Sequence, residues 1–145
     1  RMIEKGMPGE GNILIFDNGQ PPLRYHKHGG HSVVLEIDPT KTYFGKGQDI
    51  VWKYENGHHF YNSYGGHCER LPNGNTLITE SHTCRVFEVT TDQEVVWEFV
   101  RDPAPWRLIM DAHRVPHDHC PQLAAMPEPA KQPVIPPSHT SRKPF

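Results

Sequence analysis

No unbroken apolar run in this sequence exceeds four residues, as in Ile13 to Phe16, against the roughly 20 that a membrane-crossing helix requires. No charged-then-apolar signal segment opens it either, so no membrane span is expected. Neither sign of charge predominates. Lys and Arg number 15 against 17 Asp and Glu, a formal net charge of -2, which gives no electrostatic reason for nucleic acid or an anionic membrane as partner. Cysteine is scarce: Cys68, Cys84 and Cys120 cannot all pair internally, and none stands in a CxxC spacing. They read as small, half-buried residues with at most one disulfide, and they leave the compartment open. Hydrophobic residues make up 35% of the 145 positions, lean for a single packed domain. The opening "RMIEKGMPGEGN" reads as the continuation of something, an expectation of a processed or partial chain.

Sustained apolar spacing of three and four is also missing, which excludes long amphipathic helices. In its place, between Gly11 and Val100, stand short runs rich in Val, Ile, Phe, Tyr and Trp, bounded by Gly, Asn, Asp and Pro, the pattern of β-strands. The runs recur in order. "GNILIFDNG", "SVVLEIDPT" and "DIVWKYENG" are followed by "GNTLITES", "RVFEVTTD" and "EVVWEFV". Gly11 to Ile15 aligns with Gly74 to Ile78, Leu35-Glu36-Ile37 with Phe87-Glu88-Val89, and Ile50 to Tyr54 with Val95 to Phe99. Length differences fall in the loops, as a repeat architecture tolerates.

Each unit supplies three strands, and the segment before it, "HHFYNSYGGHCERL" for the second, can add a fourth and innermost one. Four antiparallel strands closed by a Trp make the blade of a β-propeller, and the expected fold is all-β with about two such blades. A sandwich of eight strands is the competing architecture. The expected organisation is blades over 1–123, with a first blade at about 6–57, a second at 58–100, and a partial strand ("RLIMDAHRV") and loop at 101–123. A Pro-rich extended tail follows at 124–145. Two blades do not close a ring of the usual four to eight, so other chains are expected to complete it or to bind the tail.

Histidine is the abundant residue, with 11 copies. His26 and His28, spaced i,i+2, with His31 nearby, form a candidate zinc or copper site; exposed polar loop residues are the competing reading. His59 and His67 flank the candidate innermost strand, and His113 lies beside Arg114, a base-and-cation pair suited to an oxyanion.

Together, "LPNGNTLITES", "RVFEVTTDQEVVWEF", "PGEGNILIFDNG" and "AHRVPHDHCPQL" resemble the arylsulfotransferase-like β-propeller proteins over roughly Gly6 to Leu123. The resemblance implies a six-bladed ring and transfer of a sulfuryl group from an aryl sulfate to a phenol. It also implies a transiently sulfated histidine near the central channel, with other His, Asn and Arg residues stabilising the sulfate oxygens, in the periplasm or outside the cell. It requires no cofactor, and the sequence has no phosphate-cradling glycine loop ending in Lys-Ser/Thr. Where such enzymes show H-x-N-S, this chain has Phe60-Tyr61-Asn62-Ser63, so Asn62 carries over and His59 stands one position early. The candidate site is thus His59, Asn62, His67, Arg70 and His113. A non-catalytic module that binds other chains, and a His-ligated copper or zinc propeller protein, are the alternative functions.

Overall fold

The computed structural model describes residues 1–19, 30–41, 49–101 and 108–127. Those residues form two antiparallel sheets. The first contains β1 (Ile13–Asp17), β2 (Val33–Ile37) and β3 (Ile50–Glu55); the second contains β4 (His67–Arg70), β5 (Thr76–Glu80), β6 (Arg85–Val89) and β7 (Val95–Val100). Each sheet runs in sequence order, neighbour beside neighbour, and neither closes on itself. A one-turn 3₁₀ helix at Gly57–His59 and a short helix, α1 (Pro121–Ala124), complete the elements. The fourth strand of the first unit is reduced to one bridge, Met2 to Ile13, extended by hydrogen bonds from Ile3 N–H to Asn12 and from Leu14 N–H to Arg1. Part of the proline-rich tail, 128–145, lies outside the described residues.

The repeat seen in the sequence is a repeat of register. β2 meets β3 with a shift between Glu36 and Ile37, and β6 meets β7 with the same shift between Glu88 and Val89. Such an irregularity rotates the strand locally and re-aims a side chain. Here it falls at the glutamate of each unit. Turn chemistry is local: Gly74, at φ +89°, closes the Asn73-Gly74 turn before β5, while Asp38 accepts the N–H and hydroxyl of Thr40 at 2.9 and 2.6 Å.

The core lies between the sheets. Leu14 and Val34 of the first sheet and Tyr54 at its far strand meet Cys68, Ile78, Phe87 and Val89 of the second. Phe60, fully buried in the link between them, packs on Tyr54, Phe87 and Phe16 at ring-centroid distances of 5.3, 5.8 and 5.6 Å. Burial of this kind is worth roughly 1.5–3 kcal/mol for each such side chain. Gly66 permits the approach: a Cβ there would sit 2.8 Å from the Phe16 ring.

A polar clip joins the units. Buried Glu36 accepts from Asn12 Nδ2 at 2.7 Å and pairs with Arg70, whose guanidinium lies 5.4 Å from the Trp52 ring centre. The same clip recurs one unit later: Glu88 accepts from Asn75 Nδ2 at 2.6 Å and pairs with Arg114 at 2.7 Å, which lies 5.5 Å from the Trp97 ring centre. Gly9 is required beside the first clip, because a Cβ would meet Glu36 Oε1 at 2.5 Å. "HCERLP" and "DAHRVP" are therefore equivalent segments. The strand expected in "RLIMDAHRV" is absent over 108–115, since no further strand is present to pair with it among the described residues.

Candidate functional site

Alternation along β4 separates its side chains. Cys68 and Arg70 point into the protein, whereas His67 and Glu69 share the half-buried face. Asp111 and His113, also two apart, come from the equivalent segment of the next unit. Both pairs meet where Arg1 closes over the same edge.

His113 is held at both ring nitrogens. Nδ1 lies 2.7 Å from Glu69 Oε2, and Nε2 lies 3.0 Å from Asp111 Oδ2. Glu69 also accepts the Arg114 backbone N–H at 3.1 Å and a guanidinium N–H of Arg1 at 3.3 Å. His67 Nδ1 faces Asp111 Oδ1 at 3.3 Å, and its ring stands edge-on to His113 with centroids 5.2 Å apart. The His67 Nε2 is buried without a hydrogen-bond partner, its nearest carboxylate being Glu69 at 4.0 Å.

The two imidazoles are driven apart in basicity. Burial pushes the His67 pKa below the ordinary histidine value, with Asp111 opposing. The hydrogen bond to Glu69 raises that of exposed His113. The two rings thus differ in their affinity for a proton, with two carboxylates between them. One ligand atom from each of His67, Asp111 and His113 can be chosen so that all lie within 4.8 Å of one another.

Of the five site residues expected from the sequence, His67 and His113 come together. Arg70 is buried in the clip, donating to Glu36 and, at 2.7 Å, to the Gly74 carbonyl. Asn62 is fully buried: its Oδ1 accepts the His82 N–H at 2.8 Å, its Nδ2 donates to the Tyr64 carbonyl at 2.9 Å, and its N–H donates to Ser32 Oγ at 2.9 Å. It ties the link between the sheets to both of them. His59 is exposed in the 3₁₀ turn. The guanidinium beside His113 is engaged with Glu88 and Trp97, so His113 works with Glu69 and Asp111 instead. His26 and His28 lie outside the described residues, and His31 is exposed.

Glu69 and Asp111 were missed in the sequence, although a signal existed. His67-Cys68-Glu69 and Asp111-Ala112-His113 are both i,i+2 pairs of a base and a carboxylate, a spacing that puts the two on one face of extended chain. No disulfide joins Cys68, Cys84 and Cys120, and no helix among the described residues is long and apolar enough to cross a membrane.

A family model described as Arylsulfotransferase (ASST) matches residues 4–102. No curated protein and no solved structure matches.

Proposed function

The chain belongs to the arylsulfotransferase (ASST) family, and from that premise we propose that it takes part in sulfuryl transfer from an aryl sulfate to a phenol. The His113 cluster is the proposed site. The observation that carries the assignment to this cluster is the Glu69–His113 contact of 2.7 Å. A carboxylate at Nδ1 fixes the tautomer, directs the Nε2 lone pair outward and stabilises the charge that the ring gains on reaction.

Asp111 takes the Nε2 proton of His113 as it swings aside, and the ring so neutralised attacks the sulfur through Nε2. The bond from sulfur to the aryl oxygen breaks, its electron pair leaves with the phenolate, and Asp111 passes its proton to that oxygen. The acceptor phenol then attacks the same sulfur, the N–S bond returns its pair to Nε2, and the phenolic proton passes to Asp111. Asp111 bonds Nε2 at rest and is half exposed, so it can swing aside for the donor. His67 packs edge-on against His113 and limits its rotation.

Three inner segments converge at this edge: the start of the chain, β4 and Asp111–Val115. That convergence supports reading the two sheets as successive blades of a propeller whose inner strands line a channel. The family also supports a periplasmic or extracellular location.

The test is release of nitrophenolate from p-nitrophenyl sulfate with a phenol acceptor, and the mass of the trapped protein. Wild type is expected to turn over and to carry one added sulfuryl group. His113→Ala loses both, and Glu69→Gln slows turnover at least roughly tenfold. No release by the wild-type chain, or release unchanged in His113→Ala, overturns this reading.

A second reading has its own observation. Trp97, Phe99 and Val100 of the outer strand β7 are exposed, a surface suited to an assembly module that binds other chains. Association without turnover would favour it.

A further inference from the structure

We infer that His67, Asp111 and His113 form a binding site for one zinc-class divalent cation, with Glu69 holding His113 from behind. The inference goes beyond sulfuryl transfer and does not rest on it.

The donor set carries the choice of ion. Two imidazoles and one carboxylate are the ligands of open zinc sites, which leave a fourth position for water or another molecule. Calcium and magnesium favour oxygen ligands and are poorly served by imidazole. The three residues are brought from two segments of the chain to one point, their ligand atoms within 4.8 Å of one another. Neighbouring ligands around a tetrahedral zinc lie about 3.3 Å apart, given bonds of about 2.0–2.1 Å. His67 Nδ1 and His113 Nε2 already stand 3.3 and 3.0 Å from the Asp111 carboxylate oxygens. Asp111, exposed and outside any strand, closes the remainder, while His67 is fixed on β4 and His113 is held by Glu69.

Two further features fit a cation. The Nδ1 of His113 meets Glu69, the carboxylate–histidine arrangement that orients metal-binding imidazoles and leaves Nε2 to the ion. His67 has a buried nitrogen that no donor or acceptor satisfies, an uncommon condition. A cation on Nδ1, the nitrogen 3.3 Å from Asp111, fixes the proton on Nε2, where it faces Glu69 at 4.0 Å. Arg1, the cationic side chain that pairs with Glu69, is directed to Glu4 as well.

An ion here takes the same His113 lone pair that sulfuryl transfer requires, so it acts as an inhibitor of that transfer.

The experiment uses the whole chain, stripped of metal by a chelator and titrated with cobalt(II). One ion per chain is expected, with the visible bands of tetrahedral cobalt, displaced by zinc(II). His67→Ala and His113→Ala each weaken binding at least roughly tenfold, and Asp111→Asn, which preserves shape, weakens it as well. His117→Ala and the pair His26→Ala with His28→Ala leave it unchanged. Circular dichroism of Asp111→Asn and His113→Ala, both exposed, checks that the fold is intact. Absence of tetrahedral cobalt in wild type overturns the inference. So does unchanged affinity in the His67→Ala/His113→Ala double variant, or loss confined to the His26→Ala/His28→Ala pair. Cobalt spectra need no turnover, so a failed transfer assay leaves this result standing, and the reverse holds too.

Discussion

Cys68 illustrates how one residue is controlled by its place on a strand. It points inward from β4, and burial pushes its thiol up to about 11. The unfolded thiol has its ordinary, lower value, so the unfolded state releases the proton first as pH rises. Stability from the neutral thiol is therefore complete below the unfolded pKa and is lost as pH climbs through the folded one, by up to about 3 kcal/mol. Urea midpoints measured between pH 8 and 11, as rough bounds around those values, are expected to fall steeply for wild type and less for Cys68→Ala. Equal slopes would show that other groups set the alkaline limit. The same alternation that hides Cys68 presents His67 and Glu69 on the other side, so one register determines both an inert thiol and the edge of the site.

At the scale of elements, strand content and order were legible because alternation and turn residues are local. "GNILIFD" and "GNTLITES" carry their own turns and their own apolar face. Clip and site were only half legible. Glu36 and Glu88 were recognisable as equivalent positions of the repeat, yet their arginine partners lie 34 and 26 residues further on, and distance along the chain conceals such pairing. Arg70 and Asn62 look like catalytic groups in a sequence; in the structure both are buried, Arg70 against Glu36 and the Gly74 carbonyl, Asn62 between Ser32, Tyr64 and His82. The clip gives an energetic contrast. Glu36 and Arg70 are only 7% and 4% exposed at the side chain, whereas Arg114 is 47% exposed. Arg70→Ala leaves a buried carboxylate short of its partner and is expected to cost roughly 3–5 kcal/mol. Arg114→Ala, with Asn73 and Asn75 still bonded to Glu88, is expected to cost roughly 1–2 kcal/mol. Chemical denaturation decides the order, and equal losses would deny that burial sets the difference.

At the scale of the molecule, the two faces of the second sheet differ. One packs against the first sheet through Phe60 and Phe87. The other forms a groove in which Leu77, Val86 and Ala112 lie beneath Trp97 and Phe99, partly covered by Ile109. An environment-sensitive dye is expected to bind this groove. Phe99→Lys should reduce its fluorescence several-fold while shifting stability by roughly 0.5 kcal/mol or less, because Phe99 is exposed. Unchanged fluorescence would place the dye elsewhere.

The recurring clip has a consequence for how such a molecule grows. Each unit offers a glutamate and a tryptophan at its rear and receives them, one unit later, with an arginine at its front. A tandem duplication in the gene that copies one span from arginine to tryptophan supplies both halves of a joint at once. The newcomer fits its neighbours on either side without any interface having to be invented. Lengthening by whole units is therefore a short mutational step, whereas adding half a unit strands a charge.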